Sequence, residues 1–411
     1  MDNNKEIRKL FIIILYLFCA TSFLIAMISY GKSLRDFLFV DVNDSFMDFF
    51  NPVFVSYARN PYTRIDMIYP PICYLFYWMV SLMIPSEYFE NAYFVRSSQE
   101  GLFVLSVYTV ITSIVLYFLL DKLIKKSVYK KYIIFSIFLS APFLHLYERA
   151  NIIIWALIFL LLFLLYKDDE RKKVREFSYI CLGLAFSIKI YPAIFGLLLL
   201  KEKRYKDALK CAIYGLFIFI LPFGIMGGFD KISIMISALA TGAQNTISML
   251  QGLGYKVNYS NTVSMILALI NGGLDESFFH IGSIIAFVIS FIIFVSTFFV
   301  REKWKVSALL CCIMIGLPGF SFQYTVIFMV IPLIQFLNKE SFSNIDYLYM
   351  VLFAMMFVFV SLVPISFLSV IEGVYPVTAT VFLESISIFI IPFVIIINEI
   401  YEYLKGKKTN E

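Results

Sequence analysis

Charge is scarce in this sequence. Only 15% of its 411 residues are charged, while 61% are hydrophobic. A soluble domain is nearer a quarter charged and half apolar, so the composition departs from that of a soluble fold. Histidine is almost absent: His145 and His280 stand alone and far apart, which rules out a cage of imidazoles around a metal. The six cysteines, Cys19, Cys73, Cys181, Cys211, Cys311 and Cys312, all fall in apolar runs without metal-ligand spacing. They read as small buried hydrophobes. No P-loop and no GxGxxG occurs, and the charged connections are too short for a nucleotide-binding domain. An ATP-driven pump is therefore not expected. The two halves show no self-similarity of the kind many transporters carry.

Long apolar runs are what the chain does have. A run of about 20 such residues crosses ~30 Å of hydrocarbon, and the sequence holds many. The first, Leu10–Tyr30, lacks the A-x-A-like cleavage site of a signal peptide. Lys and Arg gather in MDNNKEIRK, Asp121–Lys131, Lys167–Arg175, Lys201–Asp207, Arg301–Lys305 and the C-terminal KGKK. The positive-inside rule assigns these to the cytoplasm. About ten crossings are then expected, near 10–30, 102–120, 132–147, 151–166, 208–227, 281–300, 306–317, 324–337, 348–366 and 379–398. Residues 72–84, 178–200 and 262–270 fit poorly as simple crossings and read as broken or re-entrant helices, or as tilted spans. The expectation is a single all-α polytopic membrane domain, 1–411. Its outer segments are 31–101 and 228–280, and its C-terminal helices occupy 338–411.

Polar chemistry concentrates in a few places. DVNDSFMDFF, Asp41–Phe50, carries Asp41, Asp44 and Asp48. If the stretch is helical, Asp44 and Asp48 share a face at i, i+4, and mutual repulsion pushes at least one pKa upward. That suits a general base. The competing readings are a solvated helix start with dipole-favouring acids, or a carboxylate metal site lacking a third ligand. Tyr69-Pro70-Pro71 gives an extended lead into the next apolar piece. In LYERAN, Arg149 sits between apolar runs and needs an anionic partner, either Glu148 or a ligand. Asn151 lies two residues on. Lys189 stands in LAFSIKIYPAIF at membrane depth, where a cation is costly unless paired. It can bind a phosphate, snorkel or pair with an acid, and Pro192 breaks the helix beside it. A late turn offers Ser321, Gln323 and Tyr324 as hydrogen-bonding groups for a sugar.

Taken together and in order, these pieces resemble glycosyltransferase family 87, within the C-type membrane glycosyltransferases. The resemblance covers roughly residues 10–340. It rests on Asp48-Phe49 after the first span, Tyr69-Pro70-Pro71, the turn Glu148-Arg149 with Asn151, and Lys189-Ile190-Tyr191-Pro192. The late turn departs from the family, with Phe322 in place of Trp and Gln323 in place of His. Ser260–Ile266 echoes only loosely the family's Asn-x-Ser turn.

The resemblance implies a C-type bundle of about 10–13 transmembrane or re-entrant helices. It implies an extracytoplasmic active site, a polyprenyl-phosphate sugar donor and no cofactor or metal. By the resemblance, Asp48 is the catalytic base and Asp44 the second acid. Tyr69, Glu148, Arg149, Asn151, Lys189, Tyr191, Gln323 and Tyr324 become candidate substrate contacts, Arg149 and Lys189 for the phosphate. The expected product is a hexosylated, mannosyl-type glycan or glycolipid formed with inversion. A flippase or transporter of lipid-linked glycans is the alternative, and a non-catalytic membrane subunit the third reading. Abundant Ile, Lys, Asn and Phe point to an AT-rich bacterial genome.

Overall fold

The computed structural model describes residues 2–31, 38, 42–63, 69–125, 129–244, 254, 256–273, 275–358 and 377–408. Among these, regular structure is helical apart from one isolated antiparallel bridge between Lys256 and Phe322. The chain is an all-α polytopic membrane protein.

Five described helices are long and apolar enough to cross a bilayer: Glu6–Ile28, Gln99–Leu123, Tyr205–Gly224, Ser277–Thr297 and Ala379–Lys405. They correspond to five of the ten expected crossings. The other apolar runs form shorter helices. Residues 132–147 divide into Lys130–Phe138 and Ala141–Arg149. Ile153–Tyr166 has 14 residues and so spans only about 21 Å. Lys303–Gly316 is also 14 residues long and is buried by protein from Trp304 onward. An apolar run surrounded by protein has no hydrocarbon thickness to match, so hydropathy alone overstates its length. The expected crossing 348–366 begins in the helix Asn344–Phe357, and 359–366 lies outside the described residues.

The three awkward pieces are helical and short or broken. Pro71–Ser81 starts on Pro70, with Pro71 at its first position, where a missing N–H costs nothing. Tyr259–Asn271 starts on Asn258, whose side chain caps the Asn261 N–H. Lys172–Ile188 ends at Lys189, which is extended (φ −139°, ψ 128°). A 3-10 turn, Tyr191–Gly196, and the helix Leu197–Lys201 follow.

Contacts divide the chain into two compact units. The first comprises Met1–Val40, Ile124–His145 and Asn245–Glu411. Its core includes Trp304 against Phe336 and Tyr349. Gly316 lies so close to Tyr259 that an added Cβ would stand 2.3 Å from the ring.

The second comprises Asp41–Leu123 and Leu146–Gln244. Phe49, Tyr77 and Tyr108 pack as a buried aromatic group. The helices Ile153–Tyr166 and Lys172–Ile188 pack on each other as a hairpin closed by Lys167–Arg171. Its closed end holds an ion network. Lys167 meets Glu202 at 2.5 Å, and Arg204 meets Asp168 at 2.7 Å and Asp207 at 3.0 Å. Its open end carries Asn151 and Lys189, so the hairpin returns the chain to where it began. Against it lies Tyr205–Ile220, in close approach where a Cβ on Gly183 would meet the Gly215 nitrogen at 3.1 Å.

Candidate active site

The acids of the opening stretch do not lie on one helix. Val42–Asp44 forms a 3-10 turn, Phe46 adopts a left-handed backbone (φ 65°), and a helix runs from Met47 to Ser56. Asp44 is therefore outside the helix that carries Asp48, and the expected i, i+4 face is not formed. The reason is tertiary. The Phe46 N–H donates to the main-chain carbonyl of Glu148 at 2.8 Å, which holds Phe46 in a conformation that a large side chain otherwise avoids. Asp41 lies outside the described residues.

Arg149 brings the two acids together instead. Its guanidinium donates to Asp44 Oδ2 through Nη1 and to Asp48 Oδ1 through Nη2. The planar fork suits such bridging. Asp48 is 17% exposed in its side chain, as is Arg149. The neighbour Glu148, expected as one possible partner, is not used. Its carboxylate accepts the Ser45 hydroxyl at 2.6 Å.

Asn151 completes the hold on Asp48. Its Nδ2 donates to Asp48 Oδ2 at 2.7 Å and to the Tyr69 hydroxyl at 3.1 Å. Its Oδ1 accepts the Ile153 N–H at 3.0 Å and so caps the following helix. That N–H defines which amide atom is oxygen. Ala150, between Arg149 and Asn151, is left-handed (φ 50°), so a tight turn delivers both side chains to one carboxylate.

Tyr69 is seated from both sides of its main chain. The Tyr62 hydroxyl donates to its carbonyl at 2.9 Å, and its N–H donates to the Tyr74 hydroxyl at 3.4 Å. Over its ring stands the Lys189 ammonium, 4.3 Å from the centroid. This contact offsets part of the cost of placing a cation there. Tyr191, half-buried, opens the 3-10 turn beyond. That turn contributes Ala193 and Gly196 to an apolar groove of about 420 Å³, lined also by Gly183, Phe186, Ala212 and Gly215.

The electrostatics differ from those expected of two repelling carboxylates. Burial raises the pKa of Asp48, but the Arg149 charge and the hydrogen bonds from Arg149 and Asn151 outweigh it and hold the carboxyl below its ordinary range. The raised carboxyl is Glu148, pushed to about 7, chiefly by burial. Among the described residues no group of three or more His, Cys, Asp or Glu is placed to hold a metal ion.

Six sequence-chosen residues thus meet here: Asp44, Asp48, Tyr69, Arg149 and Asn151 by direct contact, and Lys189 through Tyr69. Gln323 and Tyr324 belong to the other unit. There Gln323 is fully buried, and Tyr324 stacks on His145 and Phe322. Three contributors escaped sequence reading. Ser45 binds Glu148. Arg96 donates to the carbonyls of Asn43 (2.8 Å) and Ser45 (3.1 Å), gripping the turn that carries Asp44. Tyr77 donates to the Asp48 carbonyl at 3.2 Å. Only Pro52, four residues after Asp48, left a trace of that last need.

The model of glycosyltransferase family 87 matches residues 67–317. That range contains Tyr69, the Glu148–Asn151 turn and Lys189, while Asp44 and Asp48 precede it. No curated protein and no solved structure matches the chain.

Proposed function

Because the chain belongs to glycosyltransferase family 87, we propose a specific form of membrane glycosyl transfer. The enzyme moves a hexosyl unit, mannosyl in type, from a polyprenyl-phosphate donor to a hydroxyl of an extracytoplasmic glycan or glycolipid. Asp48 is the general base. The observation that carries this reading is the arrangement around Asp48: Arg149 and Asn151 fix its carboxylate, and Asn151 also holds Tyr69, over whose ring the Lys189 ammonium stands.

The acceptor hydroxyl attacks the anomeric carbon from the face opposite the phosphate. A carbon–oxygen bond to the acceptor forms as the bond to the phosphate oxygen breaks. The hydroxyl proton passes to Asp48, and the bonding electron pair leaves with the phosphate. The configuration therefore inverts. Charge develops on the departing phosphate, where Lys189 and Arg149 stabilise it. Asp48, held below the ordinary carboxylate range, is ionised at neutral pH. Such a weak base suffices when the leaving group is good, because the attacking hydroxyl becomes acidic as its bond to carbon forms.

Two further features agree with this reading. The apolar groove beyond Tyr191 offers a place for the lipid chain of the donor. The hairpin separates a charged closed end, rich in Lys and Arg, from the open end with Asn151 and Lys189. The positive-inside rule sends the charged end to the cytoplasm and the open end outward.

The test is Asp48→Asn in a transfer assay with a polyprenyl-phosphate sugar. The expected loss is ~10²–10⁴-fold with insertion unchanged. Turnover near that of the parent enzyme rejects Asp48 as the base. Labelling of the site from the cytoplasmic face rejects the extracytoplasmic donor.

A further inference from the structure

Glu148 is the least explained acid of the site. It adjoins the arginine that gathers Asp44 and Asp48, yet it forms no ion pair with it. It is 5% exposed. Two successive residues of the acid-bearing segment are fastened to it. The Ser45 hydroxyl donates to Oε1 at 2.6 Å, and the Phe46 N–H donates to its carbonyl at 2.8 Å. Phe46, so held, is left-handed and turns the chain from the Asp44 turn into the Asp48 helix.

Among the described residues, three charged groups bear on Glu148. Asp44 comes from the turn, Asp48 from the helix and Arg149 from its own segment. Arg96, from the Ala92–Ser97 helix, donates through Nη1 to the Asn43 and Ser45 carbonyls. Among these described groups, three carboxyls lie about Arg149, whose guanidinium already bridges two of them.

We propose that Glu148 is a positioning residue: its main-chain carbonyl seats Phe46 and its carboxyl, working as a neutral acid, seats Ser45, so that Asp44 and Asp48 reach Arg149. Its ionisation sets a third negative charge against the two aspartates and in competition for Arg149. The bridge loosens and the site becomes less hospitable to an anionic donor. Burial keeps the group protonated up to about pH 7, so the enzyme should lose donor affinity as the pH rises through that value. This inference rests on the reading of Asp48 as the base.

The experiment uses the full-length protein with a polyprenyl-phosphate sugar, comparing pH profiles of the parent, Glu148→Gln and Ser45→Ala, each normalised to its own value near pH 6. In the parent, the KM for the donor is expected to rise severalfold above about pH 7, with kcat changing less. Glu148→Gln keeps an oxygen for the Ser45 hydroxyl but cannot ionise, so its profile should stay flat. Ser45→Ala removes a bond that favours the charged form, so its alkaline rise in KM should move to higher pH. A Glu148→Gln profile that overlays the parent's overturns the proposal. If that variant does not insert, an unmoved limb in Ser45→Ala does the same. Infrared titration supplies a readout independent of sugar transfer. The parent should show a protonated-carboxyl band that fades near pH 7 and is absent from Glu148→Gln; its absence from the parent also overturns the proposal. Should no protein transfer sugar, the donor reading fails, while the infrared result still decides the state of Glu148.

Discussion

The Tyr77 hydroxyl lies 3.2 Å from the main-chain carbonyl of Asp48, and Asp48 is the residue whose carbonyl Pro52 cannot serve. Four residues on in the same helix, an ordinary residue would donate its N–H to that carbonyl; proline has none. The tyrosine fills the vacancy and ties the Asp48 backbone to the Pro71–Ser81 helix. Tyr77→Phe should therefore cost ~1–3 kcal/mol by stranding a carbonyl. In a Pro52→Ala background, which restores an N–H, the same change should cost less. Denaturant unfolding of the solubilised protein across the four variants measures the coupling. Equal costs in both backgrounds contradict the link.

Arg149→Gln removes the charge that holds Asp48 ionised. In the parent, Asp48 is held below its ordinary value, so the charged form that the proposed mechanism uses persists as the pH falls and is lost only on passing that depressed value. Without Arg149, burial prevails and the carboxyl titrates higher. The acid limb of the kcat profile should move to higher pH, with a loss of ~10²-fold or more at neutral pH. Arg149→Lys, which has no fork, should not restore both carboxylate contacts. An unmoved acid limb excludes Arg149 as the group that tunes Asp48.

Asn151→Ala removes one hydrogen bond from each of three groups: Asp48 Oδ2, the Tyr69 hydroxyl and the Ile153 N–H. A lost cap of this kind typically costs ~1 kcal/mol, and loss of Asp48 alignment should lower kcat by ~10–100-fold. Stability and kcat are measured on the same preparation. A drop in stability with kcat intact limits Asn151 to capping.

Lys189→Met keeps the length of the side chain and removes its charge. The KM for the lipid-phosphate donor should rise ~10-fold or more, with Lys189→Arg recovering part of it. The Tyr69 ring offers only a modest anchor to the ammonium, so the fold should tolerate the change. A donor KM equal to the parent's removes Lys189 from phosphate binding.

Much of this site could be read along the chain. Tyr69-Pro70-Pro71, the Glu148–Asn151 turn and the break at Lys189 are local patterns, and the structure places them in one unit. The pairing of their charges could not be read. Arg149 next to Glu148 suggests an ion pair, yet its partners are Asp44 and Asp48, about a hundred residues away. Asp44 and Asp48 suggest one helical face, yet Phe46 breaks it. Arg96 and Ser45 carry no local mark of their roles, because each acts on main chain or on a side chain far from it in sequence.

Hydropathy adds up along the backbone, so the sequence alone determined a polytopic helical membrane protein. Proline removes a donor wherever it stands, so the sequence also determined a broken segment near Lys189. The length of a buried helix depends on what surrounds it, and only the tertiary structure reduced ten expected crossings to five helices of spanning length among the described residues. Likewise, a buried carboxyl's charge depends on burial and on neighbours brought from elsewhere. That is why Asp48 is held ionised, Glu148 is pushed toward neutrality, and Gln323 is enclosed in another unit.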